Sequence, residues 1–178
     1  MSATELVDIV NENDEVVAVV PRQVMRQKML PHRASYIVVM DAHERILVEI
    51  RTLCKDYAPG MFDACVGGVI QAGEDPDLSA SRELKEEIGV DSNTIEFKPL
   101  GKLLIPYQSK QSFLIGYLYL ARGNFLSIRQ KSEVSGIMLL NTEELSKLQS
   151  SCTYDSFIAY QEILHRAHEA GVIQSENF

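Results

Sequence analysis

Apolar residues in this chain come mostly in short runs separated by turn-forming clusters. Leu6 to Val10 and Glu15 to Val20 flank Asn11-Glu12-Asn13-Asp14 and predict a β-hairpin. Gln23 to Leu30, Met-rich with basic residues interleaved and closed by Pro31, predicts a short helix. Ser35 to Met40 and Arg45 to Arg51 bracket Asp41-Ala42-His43-Glu44 as a second hairpin, Thr52 to Gly60 is a loop, and Met61 to Ile70 is a further strand. Thr94 to Lys98 and Leu100 to Pro106 are strand-like, a turn is expected at Gln108 to Gln111, and Phe113 to Ala121 and Gly136 to Leu140 complete the strands. Asn141-Thr142-Glu143-Glu144 has the form of a reciprocal helix cap. Asp155 is expected to cap a last helix running until Gly171, with Phe157, Ile158, Ile163 and Leu164 at roughly helical spacing, and the final seven residues are expected to fray.

One segment changes period more sharply. Gly67 to Glu74 leads into a helix expected over Pro76 to Ile88, with Asp75 as cap, proline in the first position and Gly89 as the left-handed terminator. At about 100° per residue, Ala80, Leu84 and Ile88 share one face while Glu83, Glu86 and Glu87 fall together on another. Three neighbouring carboxylates repel one another, and a divalent cation removes that cost. Oxygen-rich sites of this kind suit Mg²⁺ or Mn²⁺.

At 178 residues and 46% hydrophobic the chain is long enough for one domain with a sizeable core. Residues 1–30 read as an extension packed on a domain of residues 31–178; it could cover a sheet edge or pair with a second copy of the chain, as a homodimer. A net charge of -8 argues against general affinity for nucleic acid, although a local basic pocket can still hold a small phosphate compound. Cys54, Cys65 and Cys152 lack metal-type spacing, and no long apolar span predicts a membrane segment, so a reducing cytoplasm is the expected setting. Arg51, Lys55 and His32-Arg33 sit at expected strand ends, where cations are candidates for a diphosphate and equally read as surface charge.

Gly68, Glu74, Arg82-Glu83-Leu84, Glu86-Glu87 and Gly89-Val90 together resemble the Nudix box at every specified position. The resemblance covers about Arg33 to Ala170 and implies an α+β Nudix fold, a mixed β-sheet sandwiched between helices. It implies a metal-dependent hydrolase that cleaves the phosphoanhydride bond of a nucleoside diphosphate-linked or related small molecule. Glu83, Glu86 and Glu87 would be the metal ligands, with the Gly67 carbonyl as another, and Glu74 and Arg82 would fix the loop against the helix. Glu86, Glu87 and a further loop acid, Glu133, are the catalytic candidates; Arg51, Lys55 and His32 are the substrate-binding ones. Two rivals use the same fold. His32-Arg33-Ala34, Arg51, Lys55 and Pro59-Gly60 look like the flanks of isopentenyl-diphosphate isomerases, but the isomerase thiol is missing at its usual place and Cys65 lies two residues earlier. A non-catalytic ligand-binding module is the other; the intact box speaks against it.

Overall fold

The computed structural model describes residues 5–107 and 112–174. Its strands are β1 (Leu6–Val10), β2 (Val16–Pro21), β3 (His32–Met40), β4 (Ile46–Arg51), β5 (Phe62–Asp63), β6 (Glu96–Pro106), β7 (Phe113–Arg122) and β8 (Val134–Leu140). The helices are α1 (Arg22–Lys28), α2 (Pro76–Ile88), α3 (Thr142–Lys147) and α4 (Tyr154–Glu169). β3 runs parallel to β7 over its whole length, from His32↔Leu114 to Met40↔Arg122, and β6 closes that side antiparallel to β7. The turn expected at Gln108 to Gln111 between β6 and β7 lies outside the described residues.

β3 places Ala34, Tyr36, Val38 and Met40 in one core and Ile37 and Val39 in the other, as period-2 alternation requires. The first core holds Phe157, Tyr160, Ile163 and Leu164 of α4; the second holds Ala80, Leu84 and Ile88 of α2. The mixed sheet is thus sandwiched between α4 and α2.

Several expectations need correction. β3 and β4 are not a full hairpin; they pair only at Met40↔Ile46, beside a turn in which the Asp41 carboxylate accepts from the backbone N–H of His43 and Arg45, each at 2.9 Å. Beyond that point the edge of β3 is taken by β1 at Ile9↔His32 and by bridges to Val69 and Val66, so β4 diverges to pair with β5 and β8. The expected strand over Met61 to Ile70 is for the same reason not continuous: only Phe62–Asp63 is a regular strand, and the chain then crosses to β3. Gly67 permits the crossing. Its φ is +149°, and a Cβ there would stand 2.0 Å from the Ser35 carbonyl oxygen. The two strands expected around Pro99 are one strand, β6, whose register shifts between Pro99 and Lys102. α4 is not capped by Asp155: Thr153 precedes the helix without a side-chain cap bond, and Asp155 instead accepts from the hydroxyls of Tyr36 at 2.6 Å and Tyr57 at 2.8 Å. Of the seven residues expected to fray, Val172 and Ile173 are held, the first by a bond from Arg122 to its carbonyl and the second by burial, while 175–178 lie outside the described residues.

Candidate active site

α2 forms where the sequence places it because its ends are satisfied. The Asp75 carboxylate accepts from the N–H groups of Asp77 and Leu78 at 2.9 and 3.2 Å, Pro76 fills the first position, and Gly89 ends the helix at φ +72°. Seating Ala80, Leu84 and Ile88 in the core draws in the residues beside that seam. Glu83 and Glu87 are 3% and 4% exposed, whereas the Glu86 side chain is 56% exposed. The acidic face anticipated from the spacing is therefore split, with two carboxylates turned under the protein and one left outside.

Burial raises the pKa of Glu83 to about 8, with repulsion from Glu87 adding to it against the pull of Arg82. Burial likewise raises Glu87 to about 7, with Lys55 opposing and Asp63 and Glu133 adding. Arg82 binds the two Glu74 oxygens through Nε and Nη2 at 2.9 and 3.0 Å, and its Nη1 donates to Glu83 at 2.9 Å and Glu86 at 3.2 Å. Glu74 also accepts from the Gln71 N–H at 3.1 Å, closing the loop onto the helix. The Glu87 carboxylate accepts from the Gly67 N–H at 3.2 Å and from Lys55 Nζ at 3.4 Å. Lys55 Nζ donates to Glu133 as well. Burial disfavours the lysine charge, but Glu87 and Glu133 outweigh it and keep its pKa above the ordinary value. The loop that carries Glu133 is tied to the end of α2, since Gln130 N–H donates to the Glu87 carbonyl at 2.7 Å and Ile128 N–H to that of Ile88 at 2.8 Å.

These groups open into a cleft of about 700 Å³. Glu83, Glu87, Glu133, Lys55, Gly67 and Gly68 line one end of it; Glu86 and Arg82 do not line it. Arg51 lines it, but its guanidinium is occupied by Asp63 and by the carbonyls of Tyr57 and Ala58. His32 stands toward the other end, fully buried, with Nδ1 donating to the Leu30 carbonyl at 3.0 Å and Nε2 without a partner among the described residues. Burial and the nearby Arg26 charge lower its pKa to about 4, so the ring is neutral near pH 7 and is not a phosphate-neutralising cation. The loop at Thr52 to Gly60 contributes Lys55 and Tyr57 to the wall.

Two carboxylates escaped the reading of the sequence. Glu49 of β4 is 3% exposed, Oε1 has no partner among the described residues, and burial with repulsion from Glu87 and Asp63 drives its pKa well up. The available signal was a lone glutamate inside the apolar run Ile46-Leu47-Val48-Glu49-Ile50. Asp155 gave no such signal, because its tyrosine partners come from distant segments.

The residues fit a divalent cation. Two nearly buried carboxylates with raised pKa values, beside the orphaned Glu49 oxygen and beneath a glycine that lets backbone approach closely, leave unneutralised acceptor oxygens, and Lys55 and Arg82 are already drawn to them. Among the described residues no three His, Cys, Asp or Glu side chains stand in a ligating arrangement.

The Nudix domain family model matches residues 30–169. The chain belongs to the Nudix family. It is 38% identical over 176 residues to the uncharacterized Nudix hydrolase YfcD of Shigella flexneri, covering 99% of this chain and 96% of that protein, and equally so to YfcD of Escherichia coli K12. Among solved structures, DR0079 of Deinococcus radiodurans superposes with a TM-score of 0.74 at 25% identity, over 88% of this chain and 98% of that one. The Nudix domain of Shewanella oneidensis NrtR, solved with ADP ribose, shares the fold at a TM-score of 0.62 and 15% identity, over 85% and 99% of the two chains. As a Nudix hydrolase the protein is a pyrophosphohydrolase acting on acid anhydrides, a family that uses divalent cations. No described helix is long and apolar enough to cross a membrane.

Proposed function

We propose that this Nudix hydrolase cleaves the diphosphate bond of a nucleoside diphosphate-linked or related small molecule, with Mg²⁺ or Mn²⁺ at Glu83 and Glu87. The observation that carries this is the burial of those two carboxylates together, at raised pKa, beside the Gly67 turn. Glu86 and the Gly67 carbonyl are the remaining ligand candidates, and Arg82 positions Glu83 and Glu86. A divalent cation, when bound, neutralises phosphate oxygens and makes a bound water a stronger nucleophile. Lys55 is the phosphate contact: on moving to a substrate oxygen it gives up its bond to Glu133, whose carboxylate it helps to hold below the usual pKa despite burial. Glu133 then becomes a stronger base and can take the proton of the attacking water. Arg51 shapes the loop that presents Lys55.

The test is phosphate release from a panel of dinucleotides, nucleoside diphosphate sugars, ADP-ribose and isopentenyl diphosphate, with and without added phosphatase. Turnover of a diphosphate ester that stops with chelator and returns with Mg²⁺ or Mn²⁺ is expected. Full turnover in metal-free buffer, or isomerisation of isopentenyl diphosphate without hydrolysis of anything, would refute the reading.

A further inference from the structure

Among the described residues four cationic side chains line the cleft, and two of them have internal partners: Arg51 is bound to Asp63, and Lys55 to Glu87 and Glu133. The other two, Arg22 and Arg26, come from α1 in the N-terminal extension. Among the described residues neither forms an ion pair, and Arg22 Nε is buried with no hydrogen-bond partner. Four residues apart on a helix, the two side chains leave the same face roughly 6 Å apart. Burial and, after it, repulsion from Arg26 lower the pKa of Arg22, which Glu5, Asp56 and Glu133 offset only in part.

The face of α1 that meets the cleft is fixed. Met25 between the arginines is fully buried against Val7, Ile9 and Val69, the last of these in the loop leading to the box helix. Further along that loop, Ala72 N–H donates to the Leu6 carbonyl at 2.8 Å and Gly73 N–H to the Asp8 carboxylate at 3.0 Å. The Arg26 guanidinium lies 5.4 Å from the centre of the Tyr57 ring, against the cleft wall. Asp155, the carboxylate facing this end, is already bound by the hydroxyls of Tyr36 and Tyr57. The extension therefore carries two like charges into the substrate cleft, within the field of Asp56 and Glu133 but with neither guanidinium in an ion pair among the described residues.

We propose that Arg22 and Arg26 form a second anion site, which receives a phosphate monoester carried by the substrate in addition to the diphosphate that is cleaved. Paired guanidinium groups suit a dianionic phosphate, each offering parallel N–H donors to its oxygens. The site rests on the diphosphate reading above and narrows it, to diphosphate esters whose organic part is itself phosphorylated.

Two commercial pairs differ by one such phosphate: NAD⁺ against NADP⁺, and dephospho-coenzyme A against coenzyme A. Calorimetric titration of the full chain in EDTA separates this site from metal-dependent hydrolysis. The phosphorylated member of at least one pair should bind at least tenfold more tightly, with the preference shrinking as salt rises. In R22Q/R26Q the preference should fall below about threefold, while R22K/R26K keeps most of it; R26Q alone supplies the same readout should the double variant not fold. Equal affinity within both pairs, no binding by any of the four compounds, or a preference that survives in R22Q/R26Q overturns the proposal. A preference that persists when Mg²⁺ elicits no hydrolysis supports the anion site and counts against the hydrolase reading instead.

Discussion

The two ends of the cleft pose the same physical problem with opposite sign. At one end Glu83 and Glu87 are buried side by side; at the other Arg22 and Arg26 are placed a helical turn apart. Like charges held together raise the free energy of the empty protein, and each end lowers it differently. The acidic end recruits internal cations: Arg82 reaches Glu83 and Glu86, and Lys55 reaches Glu87 and Glu133. At the basic end neither arginine forms an ion pair among the described residues: Arg26 lies over the ring of Tyr57, and Glu5, Asp56 and Glu133 offset Arg22 only in part. A site with internal counter-ions must exchange them when its ligand arrives, and that exchange can be coupled to chemistry, as proposed above for Lys55 and Glu133. A site without them has nothing to exchange and serves binding alone.

The strongest way to break this contrast is Glu87→Gln. Gln preserves size and can still accept from the Gly67 N–H, so metal-free melting should change by less than about 1 kcal/mol. Turnover should fall at least a hundredfold, about 3 kcal/mol in barrier, and the stabilisation conferred by Mg²⁺ should be largely lost. If melting with and without Mg²⁺ shows the same shift in both proteins and turnover survives, the acidic end is only buried charge.

Arg82→Ala removes an internal counter-ion instead of a ligand. Glu83 and Glu86 lose their common partner and Glu74 loses both of its guanidinium bonds, so metal affinity should drop by about 10- to 100-fold, together with a lower melting temperature. Lost turnover with unchanged metal affinity and stability would place Arg82 on the substrate.

These ends were unequally legible in the sequence. The box reads as chemistry because its residues are close together and their spacing is helical, so the helix and its terminators follow from local rules. The splitting of Glu86 from Glu83 and Glu87 was not local: it depends on how deeply Leu84 and Ile88 seat against β3 and β4. Arg22 and Arg26 carry the same i, i+4 spacing as Glu83 and Glu87, but nothing nearby says that α1 faces the box loop. That contact is made by Met25 against Val69, forty-four positions away. The β3–β4 hairpin failed likewise, because the competitor for the β3 edge arrives from residues 66–69.

A smaller effect is a pH dependence confined to the acidic end. Glu83 and Glu87 bind protons more tightly folded than unfolded, since burial raises both above the ordinary 4.5 to about 8 and about 7. Between about pH 4.5 and pH 7 to 8 the folded state holds the extra protons, so metal-free stability falls as pH rises through that window. The slope through that window is on the order of 1 kcal/mol per pH unit for each carboxylate that keeps its extra proton. Melting curves in EDTA should show it, and Glu83→Gln should flatten the slope relative to wild type. Parallel slopes in the two proteins would show that Glu83 is ionised throughout.

The least effect is expected at Cys65, which lines the same cleft and which an isomerase-like reading would make the reactive group. Its surroundings oppose that role. Burial drives the thiol pKa well up, and Asp63 and Asp155 add to the rise, whereas a nucleophilic or acid-base thiol needs a nearby cation to lower it. The sulfur donates to the Ser156 carbonyl at 3.5 Å and packs in the core beneath α4, not against the Gly67 turn where Glu87 is bound. Cys65→Ala removes one buried sulfur and a weak hydrogen bond, so stability should fall by about 1 kcal/mol. Turnover of a diphosphate substrate should stay within about tenfold, and the slope of stability against pH should not change. A thousandfold loss of turnover in a variant that still melts cooperatively would place the chemistry at this thiol, and the acidic end would then serve only to hold a cation.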